Sequence, residues 1–408
     1  MSLKRIFKKT WRETKDCLVF SKFICFLINL NMQDKNEHHK VEKYIKVLMK
    51  INNPFAYFYL AELNFFYAKY VESLGFIDVF LKKFANHADG VILKSQILYC
   101  LGNKEQAWTV LEDLLQVCYR GKIWLALGKI VENSSDFARM EKLYFKINRL
   151  QNKQIVTYLI NAANKAKVYE KSKKYLQEMI LGDNGNNKNK IHKKIFNEGD
   201  AEKALKDISD FFKKYNIKIF LVSGTFLGCV REGKILSHDY DIDIGVFEED
   251  IKCDIAKLIC KEGVFCIHEF NTPGIFKVKH INGILIDIFI HYREGKKVYH
   301  LGAKAKWFNT EFSLKEYLFL NQIFLGAENA DLYLSENYGI DWKKPKSIFD
   351  SVLDTPNAVI TNQEEFVIHL YKLLMSRYSL SQQQRILNEL VTYGEGNFVE
   401  KYAKSNKI

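Results

Sequence analysis

From about residue 38 to 182, apolar side chains recur at spacings of three and four with almost no β punctuation, which predicts a run of amphipathic helices. Within that run, LYCLGNKEQAWTVLEDLL (98–115) breaks at Gly102 and resumes with Ala107 where a second helix would pack closely. FYAKYVESLGFIDVFLKK (66–83) repeats the pattern about 33 residues earlier, the period of tetratricopeptide-like helix hairpins. Leu74 falls where Ala107 leads one to expect a small residue. The expectation is an α-hairpin array that binds proteins or braces a neighbouring domain. LGDNGNNKNK (181–190) has no apolar residue after Leu181 and marks a linker over 183–192.

Behind the linker the period changes. Ala201 to Tyr215 predicts an amphipathic helix, IKIFLV (217–222) a buried strand, and Glu249 to Lys261 another helix. IFKVKHI-NG-ILIDIFI (275–290) predicts a hairpin in which Asn282-Gly283 supplies the positive φ angles of a two-residue turn. A last helical stretch runs from about 363 to 404. The expected class is α+β: an all-α, tetratricopeptide-like array, then a mainly antiparallel or mixed sheet with flanking helices.

Composition narrows the choice of function. The 408 residues are 48% hydrophobic and 27% charged, which fits two or three globular domains and excludes wholesale disorder, collagen and disulfide scaffolds. Eight cysteines without a CxxC pair offer neither a zinc ribbon nor a disulfide framework, and fit a reduced, intracellular compartment. The net charge of +13 is uneven: residues 1–190 hold 32 basic and 18 acidic groups, residues 191–408 hold 29 and 30. Only 9 of the 61 basic residues are Arg, so a base-reading nucleic-acid protein is not expected. A Lys-rich excess fits solvated helix faces or attraction to anionic lipid.

The first 35 residues are less ordinary. Lys4, Arg5, Lys8, Lys9, Arg12 and Lys15 precede CLVFSKFICFLINL (17–30), a 14-residue run. It is shorter than the ~20 residues that span a bilayer. No small-residue cleavage site follows, so a signal peptide is not expected. Two readings fit: a helix docked on the domain behind it, which is favoured, and an interfacial helix with a polybasic flank.

The chemistry concentrates in LVSGTFLGCVREGKILSHDYDIDIGV (221–246). Ser223-Gly224-Thr225 ends a strand and opens a helical turn, where small residues let a phosphate approach backbone N–H groups. Asp239, Asp241 and Asp243 alternate with Tyr240, Ile242 and Ile244, so strand geometry puts three carboxylates on one face. Such crowding is costly unless a cation neutralises it, and oxygen-only ligands point to Mg²⁺ or Mn²⁺. A calcium EF-hand is excluded, because Ile244 and Asp250 stand where that loop needs Gly and Glu. Asp287 interrupts the apolar strand ILIDIFIHY and belongs with the cluster, because a lone buried Asp is expensive. Carboxylates on neighbouring strands facing a Gly-Ser/Thr turn suit two-metal nucleotidyl-transfer chemistry, with Asp287 orienting or deprotonating an attacking hydroxyl.

The segment SGTFLGCVREGKILSHDYDIDIGV resembles the signature of LicD/fukutin-type phosphotransferases, a branch of the nucleotidyltransferase fold. LYLSENYGIDWKKPKSIFDSVLDTPN (332–357) is similar to that family's C-terminal motif. The resemblance covers about 200 to 357. It implies transfer of a phosphorylated alcohol (ribitol, glycerol or choline phosphate) from a CDP-activated donor to a sugar hydroxyl of a cell-surface glycan, as in capsule or lipooligosaccharide assembly. By position, Asp241 and Asp243 match its metal-binding pair, Asp239 the preceding acidic position and Asp287 the third carboxylate. Gly224, Thr225 and Arg231 match its first motif, with Arg231 stabilising phosphate charge or capping the loop. Lys277 and Lys279 reach donor phosphates or face solvent. Tyr338, Gly339 and Trp342 wall a nucleotide pocket or form a core turn, and His291 is a site or a structural residue.

The expected segments are therefore a basic/apolar leader helix (1–35), a helical hairpin domain (36–182), the linker (183–192), a catalytic domain (193–357) and a C-terminal helical segment (358–408). The expected location is cytoplasmic, with peripheral membrane or protein contact through the basic half. The same carboxylates would also serve a nucleotidyltransferase releasing pyrophosphate. A non-catalytic helical scaffold is the third reading.

Overall fold

The structure is a computed structural model that describes residues 3–15, 17–147, 152–182, 197–236, 239–269, 272–346, 348–376 and 379–406. The expected linker at 183–192 lies outside the described residues. The chain begins with α1 (Leu3–Glu13), α2 (Val19–Asn31), α3 (His38–Lys50), α4 (Phe55–Phe66) and α5 (Tyr70–Lys83). There follow α6 (Ala88–Cys100), α7 (Lys104–Val117), α8 (Gly121–Ile130), α9 (Ser134–Ile147), α10 (Lys153–Lys165) and α11 (Tyr169–Leu181).

The mixed α/β part then runs α12 (Glu198–Lys214), β1 (Phe220–Leu221), α13 (Ser223–Glu232), β2 (Asp241–Phe247), α14 (Ile255–Ile259), β3 (Phe265–Glu269), β4 (Ile275–His280) and β5 (Leu285–Glu294). It continues with β6 (Lys297–Leu301), β7 (Ala305–Thr310), β8 (Leu314–Phe319), β9 (Gln322–Ala327), α15 (Ala330–Tyr338) and β10 (Ala358–Ile360). The helices α16 (Gln363–Leu374), α17 (Leu380–Thr392) and α18 (Gly396–Asn406) end the described chain. The class is α+β, as expected.

Helix pairs recur with one close contact. Ser73 Oγ donates to the Ala61 carbonyl (2.7 Å), Ser95 Oγ to that of Ala107 (3.0 Å) and Ser172 Oγ to that of Ile160 (3.2 Å). The turns within these pairs carry positive φ at Ala68 (54°), Gly102 (80°) and Lys167 (58°). Matching those turns puts Ser73, not Leu74, at the position of Ala107, and both are fully buried. The apparent misfit of Leu74 was a register slip of one residue.

The chain forms two compact units that regroup the expected segments: residues 1–83 with 193–359, and residues 84–192 with 360–408. In the second unit α16 packs on α11. Lys173 Nζ pairs there with Glu170 (2.8 Å), Glu364 (3.1 Å) and Glu395 (3.4 Å), and Gln177 Nε2 donates to Tyr371 Oη (2.7 Å). The last helices thus complete the helical array. In the first unit the early helices adjoin the sheet domain. Glu262 receives Lys35 (3.2 Å) and Lys214 (2.6 Å), and Lys203 reaches Asp34 (3.1 Å). Within the segment where a single leader helix was expected, Leu3–Glu13 and Val19–Asn31 form two packed helices, α1 and α2.

The sheet is mixed, in the order β10-β7-β6-β5-β2-β1-β9-β8, with β4 also pairing β5 and β3 pairing β4. β2 and β5 run parallel, while β1–β2 and β4–β5 are antiparallel. Period-two alternation sends Ile242, Ile244, Val246, Ile286 and Ile288 to one face, where they share a core with Ala201, Ala204, Leu205, Ile208, Phe211 and Phe212 of α12. Each such buried aliphatic side chain is worth roughly 1.5–3 kcal/mol. The opposite face carries the aspartates and then an aromatic layer around Phe220, Phe247 and Phe289.

Three expected elements differ. The strand expected at 217–222 is reduced to Phe220–Leu221, because the Ile217 N–H turns back to the Phe212 carbonyl (3.0 Å) at the end of α12. The helix expected over 249–261 is broken: Asp254 caps a new start at the Lys257 N–H, and Gly263 (φ 73°) closes it. The β4–β5 turn is wider than two residues, and only Gly283 has positive φ (102°). Asn282 is buried instead, donating from Nδ2 to the Asp200 carbonyl (2.7 Å) and accepting from the Ile284 N–H at Oδ1 (3.1 Å).

Candidate functional site

β2 leaves the core face to its isoleucines and presents Asp241 and Asp243 on the other. Parallel pairing then sets Asp243 directly opposite Asp287 of β5, with Ile242 opposite Ile286 and Ile244 opposite Ile288. Asp239 precedes the strand instead of extending it, and its N–H donates to the Leu236 carbonyl (3.0 Å). One carboxylate oxygen from each of Asp239, Asp241 and Asp243 lies within 4.8 Å of the others.

The expected phosphate turn is built against these carboxylates. The Gly224 N–H donates to Asp243 Oδ2 (3.2 Å), and the Asp243 N–H donates to Thr225 Oγ1 (2.8 Å). Ser223, the first residue of α13, holds φ at 46°, a left-handed value that costs a non-glycine residue of order 1–3 kcal/mol. A Cβ at position 224 would fall onto Asp239 Oδ2, so only glycine lets helix and carboxylate approach this closely.

The electrostatics are unfavourable without a cation. Burial pushes the Asp243 carboxyl well above its ordinary pKa, and Asp241, Asp239 and Asp287 push it further, against the Gly224 N–H. Asp239 is raised by burial, then by the adjacent Asp241 and by Asp287. Each of Asp239, Asp241 and Asp243 keeps a solvent-reachable edge while protein surrounds the rest. A hard divalent cation prefers such an all-oxygen donor set, and the convergence of three oxygens on one point fits one.

The remaining candidates sort by geometry. Lys277 stands opposite Asp287 on β4, its Nζ 3.6 Å from Asp287 Oδ2, so it belongs to the cluster. Lys279 pairs with Leu285 and is exposed. Arg231 lies in the last turn of α13; its Nη1 donates to the Trp342 carbonyl (3.3 Å), Nη2 meets Glu232 (2.9 Å), and its buried Nε has no hydrogen-bond partner. Tyr338 lies close enough to the carboxylates that Asp243 and Asp239, after burial, raise its hydroxyl pKa, while Arg231 lowers it.

Three candidates lie in the packing and its turns. Trp342 is buried in the main core, with its indole N–H donated to Asp331 (3.2 Å), and Gly339 (φ 89°) terminates α15 before it. His291 is completely buried against Phe220 (4.9 Å) and His300 (5.2 Å), with Nδ1 on the Phe289 carbonyl (3.1 Å). Its period-two place beside Asp287 is real, but the face turns aromatic there, and burial drives its pKa well down.

One residue escaped the sequence reading. Tyr333 of α15 is buried, is hydrogen-bonded by the Ser223 backbone, and has its hydroxyl pKa raised by burial and by Asp243. Its ring also lines a cleft of about 430 Å³ with Thr310, Phe312, Asn329 and Glu336. It lies inside the 332–357 motif, and the signal available was a Tyr five residues before Tyr338 on one helix.

A short strand leading into a Ser-Gly-Thr helix start, followed by aspartates on two adjacent strands of a mixed sheet, defines a nucleotidyltransferase-type domain. Residues 216–325 match the family described as LicD/FKTN/FKRP, nucleotidyltransferase domain, and this segment is a domain of that LicD/fukutin type. Ribitol-5-phosphate transferase FKTN of Mus musculus is 27% identical over 202 residues, 47% of this chain and 42% of that protein. The Homo sapiens protein of the same name is 28% identical over 171 residues, 39% of this chain and 36% of its own length. An uncharacterised protein of Rickettsia typhi is 29% identical over 156 residues, 36% of this chain and 47% of its own. The chain thus spans less than half the length of these relatives.

Proposed function

We propose that this chain is a metal-dependent, LicD-type phosphotransferase that moves a phosphorylated alcohol from a CDP-activated donor to a sugar hydroxyl of a cell-surface glycan, releasing CMP. The observation that carries the reading is the convergence of Asp239, Asp241 and Asp243 within 4.8 Å, with Asp287 opposite Asp243, under the Ser223-Gly224-Thr225 helix start. The resemblance of the chain to ribitol-5-phosphate transferases supports the donor class.

In the proposed reaction the acceptor oxygen forms a bond to the donor phosphorus that carries the alcohol. The phosphoanhydride bond to CMP breaks, CMP leaves with its electron pair, and the hydroxyl proton passes to a carboxylate. Asp239, Asp241 and Asp243 would hold Mg²⁺ or Mn²⁺, which when bound neutralises phosphate charge and lowers the barrier to displacement. Asp287 would orient or deprotonate the hydroxyl, with Lys277 beside it to balance charge. The N-terminal amides of α13 and the Arg231 guanidinium are the chain's own groups for phosphate oxygens.

A donor screen tests the assignment. Purified protein with Mg²⁺, a glycan acceptor and CDP-ribitol, CDP-glycerol or CDP-choline should release CMP with one of them. Pyrophosphate release from a nucleoside triphosphate, with no CMP from any CDP donor, would replace the reading with nucleotidyl transfer.

A further inference from the structure

Helix α1 divides its circumference three ways. Ile6, Thr10 and Glu13 are buried. Leu3, Phe7 and Trp11, four residues apart, form an exposed apolar stripe. Lys4, Lys8 and Arg12, each one residue further on, form an exposed basic stripe beside it. Glu13, the one acidic residue of α1, faces inward.

Helix α2 is apolar on both sides. Its Ile24, Cys25 and Ile28 are buried together with Ser21 and Asn29. There Asn29 Nδ2 donates to Tyr59 Oη (2.8 Å) and Thr10 Oγ1 (3.1 Å), and Asn29 Oδ1 accepts from Lys9 Nζ (3.0 Å). Outward it shows Val19, Phe20 and Phe23, which are 73%, 59% and 54% exposed, next to Leu18 at 82%. The apolar surfaces of the two helices join. Phe7 stacks on Trp11 (ring centroids 4.4 Å) and meets Phe26 edge-on (6.1 Å), and Lys22 Nζ lies 5.7 Å over the Trp11 ring.

A helix facing water turns its polar residues out, so a helix that stays apolar on its outer side, beside an aromatic stripe, fits an apolar partner outside the protein. The basic stripe selects the partner's charge. Aromatic rings beside Lys and Arg are the composition that settles at the headgroup level of a bilayer. With 13 residues, α2 is roughly 20 Å long, short of the ~30 Å hydrocarbon core. No described helix is long and apolar enough to cross a membrane.

We propose that the α1–α2 hairpin is a membrane-surface module. Leu3, Phe7, Trp11, Leu18, Val19, Phe20 and Phe23 enter the headgroup–acyl boundary of an anionic bilayer, while Lys4, Lys8 and Arg12 meet its phosphates. The proposal goes beyond the transferase reading and does not depend on it.

Sedimentation of the full chain with vesicles tests it. The wild type should bind phosphatidylcholine–phosphatidylglycerol vesicles at least ~10-fold more tightly than phosphatidylcholine alone, with high salt weakening the preference. Phe20→Ser with Phe23→Ser should lower binding to both by ~10-fold or more. Lys4→Gln, Lys8→Gln and Arg12→Gln together should remove the preference for phosphatidylglycerol. These are surface positions, and circular dichroism checks that the variants fold. Wild type that stays in the supernatant with both vesicles overturns the proposal, as does undiminished binding by the Phe20/Phe23 variant. Self-association through the same residues without lipid binding, read by light scattering, would assign the surface to a second copy of the chain.

Discussion

Asp243 of β2 and Asp287 of β5 are register partners on adjacent parallel strands. Their neighbours in the register, Ile242 with Ile286 and Ile244 with Ile288, fill the core on the other face. The pairing that seals the core is thus the pairing that forces two carboxylates together. The fold holds this repulsion because each isoleucine step adds burial, and a slip of one residue would turn every aspartate into the core.

Removing one of the opposed charges should stabilise the metal-free protein. At neutral pH the folded state resists ionising Asp243, through burial and three neighbouring carboxylates, whereas the unfolded chain ionises it freely. Asp243→Asn is expected to raise the melting temperature in EDTA by a few degrees, roughly the effect of ~1 kcal/mol. It should also abolish the stabilisation that Mn²⁺ gives the wild type. Paired thermal melts with EDTA and Mn²⁺ check both halves.

Gly224→Ala should damage the site more than the fold. The added methyl falls on Asp239 Oδ2, so either that carboxylate or the start of α13 must move. Mn²⁺ affinity, measured by titration calorimetry, is expected to fall ~10-fold or more, because disturbing the groups that orient a metal's carboxylates commonly costs that much. Gly75→Ala, in open space within α5 and likewise without positive φ, controls for the loss of a helical glycine.

Lys277→Met separates charge balance from substrate binding. Lys277 lies 3.6 Å from Asp287, so its loss leaves the cluster more negative. Cation affinity should rise severalfold while KM for the CDP donor increases, because the donor phosphates lose a positive neighbour. A KM that does not change would place Lys277 outside the donor site.

The aromatic layer below the aspartates should make the fold sensitive to acid. Burial pushes His300 down to about 4, against the hydrogen bond at Leu301, and His291 beside it is lowered as well. Between about pH 6.5 and 4 the unfolded chain takes up a proton that the folded chain refuses, so stability falls as pH falls, by up to ~3 kcal/mol from His300 alone. His300→Phe keeps a ring against Trp307, now stacked at 4.9 Å, and should flatten this acid limb in denaturant melts taken across the window.

Much of the site was legible because its chemistry follows a period of two. The alternation of Asp241 and Asp243 with Ile242 and Ile244, and the lone Asp287 among isoleucines, are strand-face statements that need no tertiary information. What needed tertiary structure was different in kind. The positive φ of Ser223 is imposed by packing, since nothing about serine favours it. Asp239 joins the cluster from ahead of the strand, with its N–H on the Leu236 carbonyl, which alternation along a strand does not describe. Tyr333 matters only through a backbone it approaches from another helix. The grouping of the last three helices with α6–α11 rests on contacts such as Lys173–Glu364, which join positions far apart in sequence. Strands β6 to β9 were not anticipated: each is short, and β8 and β9 turn through Leu320 and Asn321 at positive φ in place of a glycine.

The most direct measurement of the central claim is CMP release from the active CDP-alcohol donor by wild type, Asp241→Ala and Asp243→Ala, each with Mg²⁺ and with EDTA. The account predicts Mg²⁺-dependent release by the wild type and a loss of ~100-fold or more in both variants, in line with the several kcal/mol that bound metal supplies. Release that persists in EDTA, or that survives unchanged in either folded variant, would contradict it.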